Sequence, residues 1–159
     1  MTRSLPRPIS AVTMAKADLD APSPGVRKRQ TIGDLLAEAR SRLDRLEPAE
    51  AKQALVDGAL LIDTRSADLR RASGIIPGSV HVPLSVLFWR LDPSSDHDDP
   101  ALSDLQRRIV LVCAHGYSSS LAAATLRDLG FGLATDLIGG FEAWAAAGLP
   151  IEPAPAEPT

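Results

Sequence analysis

The chain has 159 residues, 45% of them hydrophobic and only 4% aromatic, with a formal net charge of −3. That length holds one domain plus extra segments around a core of Ala, Leu, Ile and Val, and the charge balance excludes nucleic acid as a main partner. No apolar run approaches the roughly 20 residues that cross a bilayer, and a single cysteine excludes an internal disulfide, as suits a cytoplasmic protein.

Residues 1–30 are rich in Pro, Ser and charge and read as a flexible N-terminal tail. Arg3, Arg7 and Lys16 precede the first acid, Asp18, as in a transit peptide, but Pro6 and Pro8 oppose the amphipathic helix such a peptide uses. Thr31 is a good N-cap, and Ile32, Leu35, Leu36, Ala39, Leu43 and Leu46 then fall at helical spacing. This predicts an extra amphipathic helix over 31–46, either covering one face of the domain or offered to a partner.

Residues 47–150 read as the folded domain, and 151–159, with Pro153, Pro155 and Pro158, as a flexible C-terminal tail. Within the domain, Pro48 opens a helix over 49–56, stopped by Gly58. Ala59–Ile62 is a short buried strand that ends at Asp63-Thr64-Arg65. A brief helix over 67–72, a turn over 74–78, a strand over 80–82 and a helix over 84–91 follow. Asp92, Asp96, His97, Asp98, Asp99 and Asp104 form a solvated acidic loop, since no glycine stands at a metal-loop spacing.

Ile109–Val112 is the next apolar strand, and the Cys113-Ala114-His115-Gly116-Tyr117-Ser118-Ser119-Ser120 run follows it. A helix over 119–129, a strand over 134–138, the Gly139-Gly140 pair and a helix over 141–147 complete the pattern. Alternating strands and helices predict an α/β fold, a mostly parallel central sheet with helices on both faces. Active sites in such sheets lie beyond the carboxyl ends of strands, where Cys113 and Asp63 both fall.

A cysteine that ends a core strand is often just a small buried residue. Here a glycine, three hydroxyls and a helix N-terminus follow it, and inward backbone N–H groups with a helix dipole stabilise a thiolate or an anion. The layout is that of a cysteine nucleophile, expected to be partly exposed with a depressed pKa.

Four segments in order resemble the single-domain rhodanese family of sulfurtransferases. Asp63-Thr64-Arg65 is similar to its Asp-x-Arg, and Gly74-Ile75-Ile76-Pro77-Gly78-Ser79 through Pro83 to its Gly-His-Ile-Pro-Gly-Ala segment. Cys113 to Ser119 resembles its active-site loop, and Leu137-Ile138-Gly139-Gly140-Phe141 with Trp144 its closing Leu-x-Gly-Gly-x-x-x-Trp. The resemblance implies a rhodanese-like fold and an enzyme that moves a sulfane sulfur through a persulfide on Cys113 to a thiol or cyanide. Backbone amides of Ala114, His115, Gly116, Tyr117, Ser118 and Ser119 would cradle the persulfide, and Asp63 and Arg65 would brace the fold. It implies no metal and no organic cofactor. The expected partners are a small sulfur donor and a thiol acceptor, or a protein persulfide, with neither nucleic acid nor membrane; the oligomeric state is left open.

Ser118 stands where many members carry arginine, although the tandem-domain thiosulfate and mercaptopyruvate enzymes commonly have a threonine there. Members of that kind that prefer thiosulfate place basic residues directly after the cysteine, where this chain has Ala114 and His115, so thiosulfate is expected to be a poor donor. Ile75 replaces a scaffold histidine. For His115 two readings stay open, a replacement positive charge or a solvent-facing loop residue; Tyr117 either shapes the pocket rim or packs. A phosphatase or arsenate reductase of the same fold would need a loop arginine, and the phosphatase a loop one residue longer. A non-catalytic, partner-binding module of this family usually lacks the nucleophile.

Overall fold

The computed structural model describes residues 24–25 and 27–156. Residues 1–23 and 26 of the expected tail, including the Arg3, Arg7 and Lys16 pattern, lie outside the described residues, as do 157–159. The chain divides into two units after Ile32. The described residues before Ile32 hold a turn at Pro24–Gly25 and no helix or strand; the fold below is that of the second unit.

The elements are α1 (Ile32–Ser41), α2 (Pro48–Val56), β1 (Leu60–Asp63), α3 (Ala67–Ser73), β2 (Val80–His81), α4 (Leu87–Leu91), β3 (Ile109–Val112), α5 (Ser118–Asp128), β4 (Ala134–Asp136) and α6 (Gly140–Ala146). The strands form one four-stranded sheet in the order β2-β1-β3-β4, and every pairing is parallel. Leu60 lies opposite Ile109 and Asp63 opposite Val112. All residues of β1 and β3 are buried, which is why these strands read as unbroken apolar runs.

Side chains alternate across the sheet and divide the core into two layers. On one face, Leu60, Ile62, Ile109 and Leu111 pack with Leu87 and Leu91 of α4, Ala122, Ala123 and Leu126 of α5, and Phe131. On the other, Leu61, Val110 and Val112 pack with Ala51 and Ala54 of α2 and Phe141 and Trp144 of α6. Helices therefore cover both faces, as the alternation predicts. No helix among the described residues is long and apolar enough to cross a membrane.

The helix expected over 31–46 ends at Ser41. Leu43 belongs to the first core layer and Leu46 to the second, on opposite faces of the sheet, whereas residues three apart on one helix share a side. The chain instead runs along β4. The Leu46 N–H donates to the Asp136 carbonyl at 3.1 Å, the Ile138 N–H to the Leu46 carbonyl at 2.9 Å, and the Thr135 hydroxyl to the Asp44 carbonyl at 2.9 Å.

The tail expected over 151–159 is also tied down at Glu152, which pairs antiparallel with Ile75 through hydrogen bonds of 2.8 and 3.0 Å. In the acidic loop, the Asp92, Asp99 and Asp104 carboxylates accept the N–H groups of Ser94, Ala101 and Gln106. These are Asx turns, so the aspartates serve as local backbone acceptors.

Candidate active site

The strand order reverses between β1 and β3, and a crevice opens beyond their carboxyl ends at such a point. Cys113 stands at the end of β3 and Asp63-Thr64-Arg65 at the end of β1. The Thr64 N–H and hydroxyl donate to the Val112 carbonyl at 2.9 and 3.1 Å, joining the two strand ends.

Two glycines allow the chain after Cys113 to turn tightly. Gly116 has φ +81°, and a Cβ on it would lie 2.7 Å from the Gly139 nitrogen. Gly140 has φ +63°, and a Cβ there would lie 2.5 Å from the Cys113 carbonyl oxygen and 2.7 Å from the Gly116 nitrogen. The glycine pair that opens α6 therefore presses directly on the cysteine loop, which no other residue type allows. From this position the Phe141 and Glu142 N–H groups donate to the carbonyls of Cys113 and Ala114 at 2.8 and 3.2 Å.

With those carbonyls turned toward α6, the Gly116 N–H points at the Cys113 sulfur, 3.1 Å away. The Ser119 Oγ lies 3.2 Å from the same sulfur. Cys113 is buried, 7% exposed, rather than partly exposed as expected, because the loop and the first turn of α5 close over it. Burial pushes the thiol pKa up. Hydrogen bonds from the Ser119 and Ser118 hydroxyls and from the Ser119 and Gly116 N–H groups outweigh that, and the pKa lies below its ordinary value.

Beneath the loop lies a residue the sequence reading missed. Asp136, the last residue of β4, is fully buried, and its Oδ2 accepts the Ser119 and Ser120 hydroxyls at 2.8 Å each. Arg45 forks onto it, Nε to Oδ1 at 2.8 Å and Nη2 to Oδ2 at 3.2 Å. The Gly116 carbonyl accepts Arg40 Nη2 at 2.8 Å and Arg45 Nη2 at 3.1 Å, and Arg40 Nε donates to the Ser120 Oγ at 3.2 Å. The available signal was an acid inside a strand that otherwise reads as buried; nothing local marked the arginines.

Arg65 braces the fold. Its guanidinium grips Asp63 through Nε to Oδ1 at 3.0 Å and Nη2 to Oδ2 at 2.8 Å, donates to the Gly74 carbonyl at 2.8 Å, and lies 3.7 Å from the Phe141 ring centre. One side chain thus joins the strand end, the Gly74 turn and α6. Arg70 adds a contact to Asp63 at 3.3 Å. His115 is exposed and its Nδ1 lies 3.0 Å from Glu142 Oε2, so its polar contact is with α6 at the surface. Tyr117 is also exposed, with the Arg40 guanidinium 5.5 Å from its ring centre. Ala114 and Ser118 are half-buried.

The family model for the rhodanese-like domain matches residues 47–147. Among curated proteins, the thiosulfate sulfurtransferase GlpE of Pseudomonas savastanoi pv. phaseolicola is 40% identical over 102 residues, covering 64% of this chain and 87% of that protein. The GlpE of Haemophilus influenzae is 31% identical over 109 residues, covering 69% and 94%. Among solved structures, a Rhodopseudomonas palustris protein of unknown function, described as a possible tyrosine phosphatase, is 33% identical with a TM-score of 0.72, covering 82% of this chain and 100% of its own. The human single-domain sulfurtransferase TSTD1 is 26% identical with a TM-score of 0.55, covering 64% and 95%. The strand ends and glycine turns around Cys113 fall inside the matched stretch, Arg40 and Arg45 precede it, and the chain belongs to the rhodanese-like domain family.

Proposed function

We propose that this protein is a rhodanese-type sulfurtransferase with Cys113 as its nucleophile. The observation that carries the reading is the Cys113 sulfur held between the Gly116 N–H and the Ser119 hydroxyl, with its pKa lowered despite burial. In the first half-reaction the thiolate attacks the outer sulfur of a sulfane donor. An S–S bond forms to Cys113, the donor's S–S bond breaks, and its electron pair leaves with the remainder, sulfite when the donor is thiosulfate. In the second, an acceptor thiolate or cyanide attacks the outer sulfur of the persulfide and releases the Cys113 thiolate, giving a new persulfide or thiocyanate.

The loop amides and hydroxyls stabilise the negative charge carried first by the thiolate and then by the persulfide. The curated relatives are named for thiosulfate, and this donor fits the chemistry. Residues 113–120 hold no Lys or Arg to meet its sulfonate, so a high KM is expected. A nucleophile that must return to the thiolate after each cycle suits a reducing compartment such as the cytoplasm. Phosphatase chemistry has less support, because a phosphate dianion needs a loop guanidinium.

Thiocyanate formation from thiosulfate and cyanide, with intact-mass detection of a one-sulfur adduct, tests the reading. Wild type should show both and Cys113→Ser neither. A folded wild-type protein with neither turnover nor adduct on thiosulfate or polysulfide would overturn it, and hydrolysis of an aryl phosphate would favour the phosphatase.

A further inference from the structure

Arg40 and Arg45 precede the segment that matches the family, residues 47–147, yet both reach the cysteine loop. We propose that they are positioning residues for the reacting sulfur, a role that extends the sulfurtransferase reading and rests on it for its kinetic consequences.

Gly116 links the two arginines to the sulfur. Its N–H donates to the Cys113 sulfur at 3.1 Å, while its positive φ and lack of room for a Cβ require glycine. Glycine is also the residue least able to hold its own backbone in one conformation. Two guanidiniums supply the missing restraint: Arg40 Nη2 and Arg45 Nη2 donate to the Gly116 carbonyl at 2.8 and 3.1 Å. Fixing that carbonyl fixes the residue whose amide faces the sulfur.

Electrostatics adds a second effect. Asp136 is buried and one serine hydroxyl away from the Cys113 sulfur. Left unpaired, its charge would oppose ionisation of the thiol. Arg45, its side chain 15% exposed, neutralises it in a forked ion pair. Among the described residues, the other ionisable groups against the loop are the exposed His115 and Glu142, which face each other, and the Asp63–Arg65 pair under α6. Arg40 and Arg45 are therefore the cations that bear on the loop backbone, held by residues 40–45 rather than by the loop itself.

The full chain is tested as Arg40→Gln, Arg40→Lys and Arg45→Lys, with Arg42→Gln as control. Arg42 removes the same formal charge from the same stretch, but it pairs with Asp128 at the surface. The readouts are the pH midpoint of Cys113 alkylation by iodoacetamide, the thermal midpoint, and kcat and KM with thiosulfate and cyanide. Arg40→Gln should raise the alkylation midpoint by about half a unit or more and lower kcat severalfold, with the thermal midpoint close to that of the control. Arg40→Lys should recover part of the shift, keeping the charge without the fork. Arg45→Lys should show a smaller rise, since the ammonium keeps the charge beside Asp136 but loses the planar two-point fork.

A folded Arg40→Gln with a wild-type alkylation midpoint and kcat would overturn the proposal, whatever Arg45→Lys does. Equal shifts in Arg40→Gln and Arg42→Gln would also overturn it, as a mere net-charge effect. A midpoint shift in a protein that transfers no sulfur would sink the sulfurtransferase reading and leave the positioning role standing.

Discussion

The Ser119 hydroxyl donates its single proton to Asp136 at 2.8 Å, so its oxygen turns lone pairs toward Cys113. In the thiol state Cys113 is the donor to Ser119 across 3.2 Å. When the thiol ionises, the Ser119 proton can rotate onto the sulfur, because Asp136 keeps Ser120 and Arg45 as partners. Asp136 thus holds a hydroxyl that serves both protonation states of the nucleophile.

Ser119→Ala should raise the Cys113 pKa by about one to two units, since a hydrogen bond to a charged group contributes roughly 1.5–3 kcal/mol. Burial, the opposing influence, remains. Alkylation rate against pH checks this, and an unchanged midpoint would remove Ser119 from the account.

The lowered Cys113 pKa also links stability to pH. Folding favours the thiolate, so the added stability is fully present above the unfolded value of about 8.5 and is lost as pH falls through the lower folded value. The stability difference between wild type and Cys113→Ser, from urea unfolding at a series of pH values, should shift in favour of wild type across that window and then level off. Transfer rate limited by thiolate fraction should rise through the folded pKa and plateau before the ordinary thiol range.

Ser118→Arg places a guanidinium at the start of α5, on the loop that otherwise lacks one. Charge-assisted bonds to the sulfonate should lower the thiosulfate KM by about tenfold or more. Unchanged or worse thiosulfate kinetics would show that the anion binds elsewhere.

Gly140→Ala would drive a Cβ into the Cys113 carbonyl and the Gly116 nitrogen. Backbone strain at positive φ alone costs about 1–3 kcal/mol, and the clash adds to it. The expected result is a lower thermal midpoint together with a raised alkylation midpoint in whatever protein remains folded. Wild-type values for both would contradict the close packing of α6 on the loop.

Arg65→Met should cost up to about 3–5 kcal/mol, because it leaves the buried Asp63 carboxylate with only the longer Arg70 contact as an ion pair. Arg65→Lys should cost less, keeping a charge but losing the two-point grip and the Phe141 contact. Denaturant midpoints measure both.

The core strands were legible because they are buried on both faces: Leu60–Ile62 and Ile109–Val112 are apolar at every position. The cysteine loop was legible from Gly116 and the serines. The path of residues 42–46 was not, because Leu43 and Leu46 mimic a helical stripe, and a pairing of Leu46 with the sequence-distant Leu137 has no local trace. Asp136, Arg40 and Arg45 escaped for the same reason. Their meaning lies in contacts across the fold, and one side chain in isolation carries no sign of them.

The strand of residues beside β4 has a consequence for self-association. An unpaired strand edge is a template for another chain, and here both margins of the sheet are closed to that. β2 is two residues long. On the far side, the Arg127 side chain takes the Ala134 carbonyl, Leu46 takes the Asp136 carbonyl, and the Ile138 N–H is already given to Leu46. Cutting the chain back to the family-matched stretch at residue 47 would bare that margin, and the trimmed domain would be prone to stack on itself in solution.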